Sequence, residues 1–331
     1  MTEFNAMVAH EASDDDVVLR PELLDDSALP DGDVEIHVEY SSVNYKDALA
    51  ITPKAGVARS YPLVPGIDVV GTVTASSSPD FTVGDTVIAH GQDIGTGRAG
   101  GYAETARYPA DFVVKLSAIG AADAAAIGTA GFTAALSVEA VRAHVAPGDG
   151  PVLVTGATGG VGSISVDLLA GLGYEVVAST GKRDEHDMLR DLGAAEVIDR
   201  VPGPEDKVRP LGKAHWAAVV DCVGGKTLAY ALSTMRYAGI AAISGLAGSA
   251  DLPATVHPFI LRGVTLAGID SVLLPIEKRR ETWRLIETDL RPRHLTRITR
   301  DVPVRDVHPV LQKILGGGVV GRTRVVVHEG F

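Results

Sequence analysis

The second half of the chain alternates short, largely apolar runs with longer segments of helical composition. Apolar runs without a polar alternation are typical of strands that are buried on both faces of a parallel sheet. The pattern therefore predicts a doubly wound α/β domain, with helices on both faces of the sheet. The expected strands are 152–155, 175–179, 196–199, 217–222, 240–244 and 264–267, and the expected helices are 161–172, 185–192, 227–235 and 277–290.

The first 120 or so residues follow a different pattern, in which glycine and proline separate short β-rich runs. This punctuation predicts a compact, partly antiparallel β domain. The predicted strands are 34–40, 69–73, 86–89 and 112–116.

The segments that flank the α/β series suggest how the two domains are joined. A helix of small residues is predicted at 121–145, and the tail predicts a strand at 302–304, a helix at 306–315 and a strand at 323–327. We expect the last strand to return to the first domain. The predicted organisation is a β-rich domain of residues 1–123, completed by 292–331, and a nucleotide-binding domain of residues 124–291.

The composition and net charge indicate a globular protein and disfavour some classes of partner. Apolar residues make up 46% of the 331 residues and charged residues 22%, values that suit a globular protein. The net charge of −12 disfavours nucleic acid or anionic lipid as a partner. We find no apolar stretch that predicts a membrane span and no targeting pattern, and expect a cytoplasmic protein.

Cysteine and histidine usage predicts a protein without a metal site. Cys222 is the single cysteine, so an internal disulfide is excluded, and the ten histidines form no zinc-ligand spacing with it. Because Cys222 falls in an apolar strand, a small buried residue is the expected role rather than a nucleophile.

The segment VLVTGATGGVG at 152–162 carries the clearest functional signal. Its glycines follow an apolar strand and precede a helix, the context in which backbone amides receive the pyrophosphate of a dinucleotide. The expected contacts are Thr158, Gly159, Gly160 and Val161. The pattern departs from the fingerprint at Ala157, and a plain glycine-rich turn is the alternative interpretation.

The turn after the second strand of the α/β series bears on the choice of cofactor. An NAD-specific domain places an acid there for the ribose hydroxyls, whereas this chain has Ser-Thr-Gly-Lys-Arg at 179–183. Hydroxyls followed by cations suit a 2′-phosphate, so we predict NADPH, bound by Thr180, Gly181 and Lys182. Arg200 is a further candidate cation. A solvated turn and a solvated strand end are the alternatives.

Motifs spread along the whole chain resemble those of the medium-chain dehydrogenase/reductase superfamily. This resemblance implies a GroES-like β-rich catalytic domain joined to a doubly wound Rossmann domain, hence an α/β fold. The motifs are SSVNYKDALAIT at 41–52, PLVPGIDVVGTV at 62–73, GDTVIAHG at 84–91, GGYAETARY at 100–108, AIGTAGFTAALSV at 126–138 and VTGATGGVGSISV at 154–166.

The departures from that superfamily's zinc enzymes imply chemistry without a metal. Residues 66–68 read Gly-Ile-Asp where zinc alcohol dehydrogenases carry Gly-His-Glu, and a cysteine cluster is missing from residues 90–110. Hydride addition to a conjugated alkene or a quinone needs no Lewis acid, unlike the oxidation of a simple alcohol. These are the reactions of the zinc-free, quinone-oxidoreductase-like branch.

Within that branch the chain is similar to the YhdH/AcuI type, the acrylyl-CoA reductases. The resemblance rests on NYKDALAIT, on PFILR at 258–262 and on Gly-Ile-Asp-Ser at 268–271. It implies reduction of acrylyl-CoA to propionyl-CoA with NADPH, in a homodimer joined through the edge strand 264–267. The alternatives are a quinone or enone reductase and a non-catalytic NADPH-binding protein.

The resemblance also implies catalytic residues. Asn44 and Tyr45 match a cleft motif, in which both would donate hydrogen bonds to the enolate oxygen and Tyr45 would contact the nicotinamide or supply the proton. From the residues alone, 44–47 is as readily a hydrogen-bonded turn.

Further cofactor contacts follow from the same resemblance. Leu246, Ile260 and Ser271 would line the nicotinamide pocket, although Leu246 and Ile260 suit a core equally well. Arg322 would approach the pyrophosphate, or lie solvated at its strand start. Apart from the resemblance, the candidate partners for the CoA phosphates are Arg291, Arg293, Arg297 and Arg300, with Lys54 and Arg59 as competitors. A solvated basic segment is the alternative interpretation of the four arginines.

Overall fold

The computed structural model describes residues 2–203 and 207–331 and divides into two compact units. The first comprises Met1–Thr129, Ser271–Asp289 and Ile298–Phe331, and the second comprises Ala130–Asp270 and Leu290–Arg297. The sequence-based domains differ from these units chiefly at Ser271–Asp289, which packs with the β-rich unit. That segment is helical, so its pattern resembles the α/β series that precedes it.

The first unit is built around a largely antiparallel sheet. Its elements are β1 (Glu3–Ser13), β2 (Asp16–Asp25), β3 (Val34–Ser42), β4 (Asp68–Ser76), β5 (Thr86–His90), β6 (Thr105–Tyr108), β7 (Val113–Lys115), β14 (Thr299–Pro303), β15 (Arg322–Val326), α1 (Tyr45–Ala50), α7 (Ile276–Glu287) and α9 (Val307–Leu315). The strands of the sheet lie in the order β14-β15-β3-β4-β5-β7, with β6 paired to β3. As predicted, the last strand returns to this sheet, where β15 pairs with β3.

An amino-terminal hairpin that the sequence pattern did not predict covers this sheet. Strands β1 and β2 pair antiparallel from Glu3 opposite Asp25. The middle of β1 is buried on both faces, and the Met7 amide donates to the Tyr102 carbonyl over 2.8 Å. Because both faces are buried, β1 lacks the polar alternation by which a half-buried strand is detected.

The second unit is built around a wholly parallel sheet. Its elements are β8 (Val152–Thr155), β9 (Val176–Ser179), β10 (Glu196–Ile198), β11 (Trp216–Asp221), β12 (Met235–Ile243), β13 (Thr265–Gly268), α3 (Gly160–Gly171), α4 (His186–Asp191), α5 (Gly225–Ser233) and α6 (His257–Arg262). The strands lie in the order β10-β9-β8-β11-β12-β13, so successive strands are added on one side of β8 and then on the other. This is the doubly wound arrangement predicted from the apolar runs. The core is formed by strand residues such as Leu153 and Val219 packed with Leu228 and Leu232.

Two helices remain, α2 (Ala121–Arg142) and α8 (Leu295–Ile298). Helix α2 contains Gly128 at φ 50° and ψ −157°, which breaks the regular helical backbone. The expectation that no segment could span a membrane was wrong for α2, because it is long and apolar enough by length and composition. In the structure 78% of its most apolar window is buried inside the protein, as in the core helix of a globular domain.

Candidate active site and cofactor cradle

The glycine-rich turn of the second unit joins β8 to α3. Gly156 takes a left-handed φ of 59°, and the Gly159 amide donates to the Gly156 carbonyl over 2.9 Å. Helix α3 then begins at Gly160, so its first amides, at Gly160 and Val161, have no partner within the helix. Such amides and the helix dipole favour a phosphate.

Gly162 allows the turn to pack against its own helix. A Cβ at this position would lie 2.4 Å from the Gly156 carbonyl oxygen and 2.8 Å from the Cα of Ala157. Both neighbours are backbone atoms that cannot rotate away. The local geometry therefore explains why glycine stands here, and the cradle fits a dinucleotide pyrophosphate.

The carboxyl ends of β9 and β10 bring the predicted adenosine-side residues together. The Thr158 and Thr180 hydroxyls lie 3.2 Å apart, and the Lys182 amide donates to the Thr180 hydroxyl over 3.1 Å. The guanidinium of Arg200 lies over Gly181, with Nη2 3.0 Å from where a Cβ would stand. Two hydroxyls and the Arg200 guanidinium thus lie at one turn, where a phosphate would find both hydrogen-bond donors and a positive charge.

Leu246 and Ile260 are not core residues. Leu246 is 58% exposed in the loop after β12, and Ile260 is 73% exposed on α6. Their exposure removes the core alternative and leaves both side chains accessible to a ligand. Nearby, the Asp221 carboxylate accepts a hydrogen bond from the Gly224 amide over 2.7 Å and so caps the turn before α5. Cys222 is partly buried, and desolvation of its thiol raises the pKa to about 12.

The first unit presents Asn44 and Tyr45 at the start of α1. Tyr45 is 41% exposed, whereas Asn44 is 8% exposed. The Asn44 side-chain amide donates to the Asp68 carboxylate over 2.8 Å and to the Ser42 hydroxyl over 3.1 Å. Both amide hydrogens therefore have partners inside the protein, while the phenol of Tyr45 faces outward.

Asp68 is the centre of this buried network. One carboxylate oxygen accepts from Ser42 and Asn44, and the other accepts from the Thr129 amide over 2.9 Å and its hydroxyl over 2.6 Å. Four donors satisfy the carboxylate although Asp68 is fully buried. Gly128 is required beside it, because a Cβ there would lie 2.4 Å from an Asp68 carboxylate oxygen.

Arg322 supplies the positive charge of the network. It is 2% exposed, so the alternative of a solvated strand start is removed. Its guanidinium donates to the Ala126 carbonyl over 2.7 Å, to the Ser42 hydroxyl over 2.8 Å and to the Asn44 side-chain oxygen over 3.3 Å. The nearest Asp68 oxygen is 4.0 Å away. Arg322 thus orients Asn44 from the opposite side to Asp68.

Asp47 is a second buried carboxyl beside this network. It accepts hydrogen bonds from the Asn44 amide over 2.8 Å and from the Ile67 amide over 2.7 Å. Burial, together with the negative charge of Asp68, raises the pKa of Asp47 to about 7. The carboxyl therefore changes charge near neutral pH.

Ser271 begins a buried turn that a second arginine holds. Ser271 is 9% exposed, and Arg279 donates to the carbonyls of Ser271 and Val272 over 3.3 and 3.2 Å. Trp283 donates to His90 over 2.8 Å in the same cluster, where burial lowers the pKa of His90 well below its usual value. Arg279 and His90 could not be identified from the sequence, because an isolated arginine in a helix and an isolated histidine in a strand carry no motif.

Several of the candidate CoA-binding cations already have acidic partners. Arg293 donates to Asp167 over 3.0 Å, and Arg59 donates to Asp93 over 3.0 Å. The structure brings Arg297 against Asp191 and Lys54 against Asp15. Among the described residues, no cluster of three or more His, Cys, Asp or Glu side chains could hold a metal ion.

Comparisons with known proteins identify the families and relatives to which this chain is similar. Residues 30–118 match the family described as the alcohol dehydrogenase GroES-like domain, and residues 160–288 match that of zinc-binding dehydrogenases. The acrylyl-CoA reductase AcuI of Ruegeria pomeroyi is 47% identical over 91% of this chain and 92% of its own length. The putative quinone oxidoreductase YhfP of Bacillus subtilis is 45% identical over 98% of this chain and 99% of its own.

Solved structures agree with those relatives. The Escherichia coli YhdH structure with bound NADPH has a TM-score of 0.94 at 43% identity, covering 98% of this chain and 100% of that one. Bacillus subtilis YhfP with bound NAD has a TM-score of 0.95 at 45% identity, with the same coverage. This protein therefore belongs to the medium-chain dehydrogenase/reductase superfamily, within its quinone-oxidoreductase-like YhdH/AcuI type, and is an oxidoreductase composed of a GroES-like and a Rossmann-like domain.

Proposed function

We propose that the protein reduces the activated double bond of acrylyl-CoA, giving propionyl-CoA, with NADPH as the hydride donor. The observation that carries this proposal is the 47% identity over 91% of the chain with an acrylyl-CoA reductase. The similar YhdH structure with bound NADPH supports the cofactor.

The residues of the second unit fit that cofactor. The amides of Gly159, Gly160 and Val161 suit its pyrophosphate, and Thr158 supports the turn through Thr180. Lys182 and Arg200 suit its 2′-phosphate, with Thr180 and Gly181 between them. Leu246 and Ile260 of this unit would contact the nicotinamide end, and Ser271, which belongs to the first unit, is the third residue proposed for that contact. When bound, NADPH supplies the hydride that is added to the β-carbon of the substrate.

The residues of the first unit would complete the reaction. Hydride addition at the β-carbon places negative charge on the thioester oxygen, and a proton must then reach the α-carbon. The exposed phenol of Tyr45 is the proposed donor to that oxygen or carbon. Asn44 would act chiefly by fixing the start of α1, because Asp68, Ser42 and Arg322 already bind its side-chain amide.

The test is a set of turnover measurements with NADPH consumption as the readout and mass spectrometry of the product. We expect acrylyl-CoA to be consumed with one NADPH per propionyl-CoA formed. Crotonyl-CoA, which adds one methyl group to the β-carbon, serves as the matched substrate. Efficient turnover of a small quinone without any reduction of acrylyl-CoA would contradict the proposal.

Reduction of a quinone or other enone is the second candidate function. It is favoured by the 45% identity with YhfP, whose name is putative quinone oxidoreductase, over 98% of the chain. The same cofactor and the same phenol would serve, since only the electron-accepting substrate differs. A third possibility, NADPH binding without catalysis, would be favoured by tight binding of the cofactor with no oxidation by any of these electrophiles.

We further propose a cytoplasmic homodimer. Within the described residues β13 pairs only with β12, which leaves one edge of the parallel sheet open. Exposed apolar side chains lie on and before the neighbouring α6, with Val256 64% and Leu261 58% exposed. A free strand edge beside apolar side chains suits a second copy of the chain. Sedimentation as a monomer at micromolar concentration would contradict this.

A further inference from the structure

The ends of β9 and β10 carry an ion pair that the cofactor assignment does not use. Arg183 donates to both carboxylate oxygens of Asp199, from Nε over 3.1 Å and from Nη2 over 2.7 Å. The pairing is bidentate, so both hydrogen bonds fix the guanidinium in one orientation. Arg183 is thus held by a carboxylate, although its position in the sequence marks it as a phosphate-binding cation.

Asp199 lies at a position where a carboxylate affects whether NAD or NADP is bound. Its backbone carbonyl accepts from the Ser179 hydroxyl over 3.2 Å, which places it at the carboxyl end of β9. An acid at that end of the second strand selects the ribose hydroxyls of NAD and opposes a 2′-phosphate. In this chain the acid comes from the neighbouring strand instead, and Arg200 follows it directly.

We propose that the Arg183–Asp199 ion pair is a specificity-determining element, in which Arg183 neutralises a carboxylate that would otherwise repel the 2′-phosphate of NADPH. The inference rests on the NADPH preference of the proposed function. Lys182 and Arg200 remain the cations proposed to bind the phosphate, and Arg183 would act on it through Asp199. The hydrogen bonds from Arg183 also lower the pKa of Asp199.

The similar structures differ in which of the two cofactors, NADPH or NAD, they hold. YhdH was solved with NADPH, and YhfP, at 45% identity to this chain, with NAD. Proteins that share one fold but select different cofactors need a small local feature that separates NADPH from NAD. The charge state of a carboxylate beside the 2′-phosphate is such a feature. An unpaired carboxylate would repel a phosphate of about two negative charges, whereas a carboxylate neutralised by an arginine would repel it much less.

The experiment is a double-mutant cycle read by calorimetric binding of NADP⁺ and NAD⁺, without substrate and at one pH and ionic strength. We expect Arg183→Ala to weaken NADP⁺ binding by about tenfold and NAD⁺ binding by less than about threefold. Asp199→Asn alone should leave NADP⁺ binding unchanged or stronger. The double variant should bind NADP⁺ within about threefold of the unmodified protein, because the repelling charge is gone.

The matched control is Arg190→Ala on α4, which removes the same charge from an exposed pair with Asp187 at 2.7 Å. This variant should leave the ratio of the two affinities unchanged. A double variant as weak as Arg183→Ala would overturn the inference, because Arg183 would then bind the phosphate directly. Unchanged binding in Arg183→Ala would overturn it as well.

The outcomes also separate this inference from the proposed function. If the unmodified protein binds both cofactors equally, the NADPH preference itself fails. If it prefers NADP⁺ and the cycle behaves as expected, but acrylyl-CoA is not reduced, the ion-pair inference stands and the proposed substrate fails.

Discussion

The side-chain amide of Asn44 donates to the carboxylate of Asp68 over 2.8 Å, and this hydrogen bond joins the start of α1 to the start of β4. Zinc enzymes of the superfamily carry Gly-His-Glu where this chain has 66–68. Here the acid of that segment binds protein donors on both oxygens. The carboxylate has become a structural centre that fixes the residue next to the proposed catalytic phenol.

Asp68→Asn tests that role. The substitution removes the negative charge that lies 4.0 Å from the buried guanidinium of Arg322. It also replaces one accepting oxygen by an NH2 group, which faces hydrogen-bond donors. Breaking a buried pair in this way costs about 3–5 kcal/mol. We expect a corresponding loss in the free energy of unfolding, measured by urea denaturation.

Asp301→Asn is the control for this variant. Asp301 pairs with Arg324 over 2.7 Å but is 49% exposed, so its loss should cost no more than about 1 kcal/mol. Equal losses in the two variants would show that the Asp68 network contributes no more than a surface pair.

The pH dependence of stability should report on Asp47. Its pKa is raised from 3.8 to about 7, so the folded protein holds a proton there that the unfolded chain releases at lower pH. Its contribution to stability is therefore greatest below the unfolded pKa and declines as pH rises, becoming constant above about 7. Asp47→Asn, which cannot ionise, should lack this decline.

The measurement for Asp47 is the difference in the free energy of unfolding between the unmodified protein and Asp47→Asn at a series of pH values. We expect the unmodified protein to lose stability relative to the variant between about pH 4 and about pH 7. A difference that stays constant across that window would show that Asp47 titrates alike in both states.

Gly162→Ala tests the close packing of the cofactor turn. The added methyl would meet the Gly156 carbonyl oxygen at 2.4 Å, and overpacking of this kind costs about 1–3 kcal/mol. We expect a lower melting temperature and weaker NADP⁺ binding by calorimetry, because the amides of Gly159 and Gly160 would shift. Gly120→Ala is the control, since nothing lies within 4 Å of its added Cβ. Normal NADP⁺ affinity in Gly162→Ala would remove the turn from the binding site.

The doubly wound unit could be predicted from the sequence because short apolar runs mark most of its strands. Strand β8, for example, has the predicted bounds, Val152–Thr155. The turn after it was identified because its glycines have a local cause, the close approach of Gly162 to Gly156. Local patterns of this kind are visible in one sequence.

Contacts between distant residues could not be predicted in the same way. Asp68, Thr129 and Arg322 lie far apart in sequence, and Arg322 was assigned either to a pyrophosphate or to solvent. Only the pairing of β15 with β3 brings its guanidinium beside Asn44. The pairing of Arg183 with Asp199 likewise depends on β9 and β10 being neighbours in the sheet.

Tyr45→Phe tests the proposed proton or hydrogen-bond donor. The ring is kept and the hydroxyl is on a side chain that is 41% exposed, so the melting temperature should not change. If the phenol donates in the transition state, kcat for acrylyl-CoA should fall by about 10²-fold or more, with a smaller effect on KM. Tyr237→Phe, which removes a hydroxyl that is 81% exposed in the other unit, should leave both constants unchanged. Full activity in Tyr45→Phe would assign proton delivery to solvent or to another group, because the ring alone would then suffice for turnover.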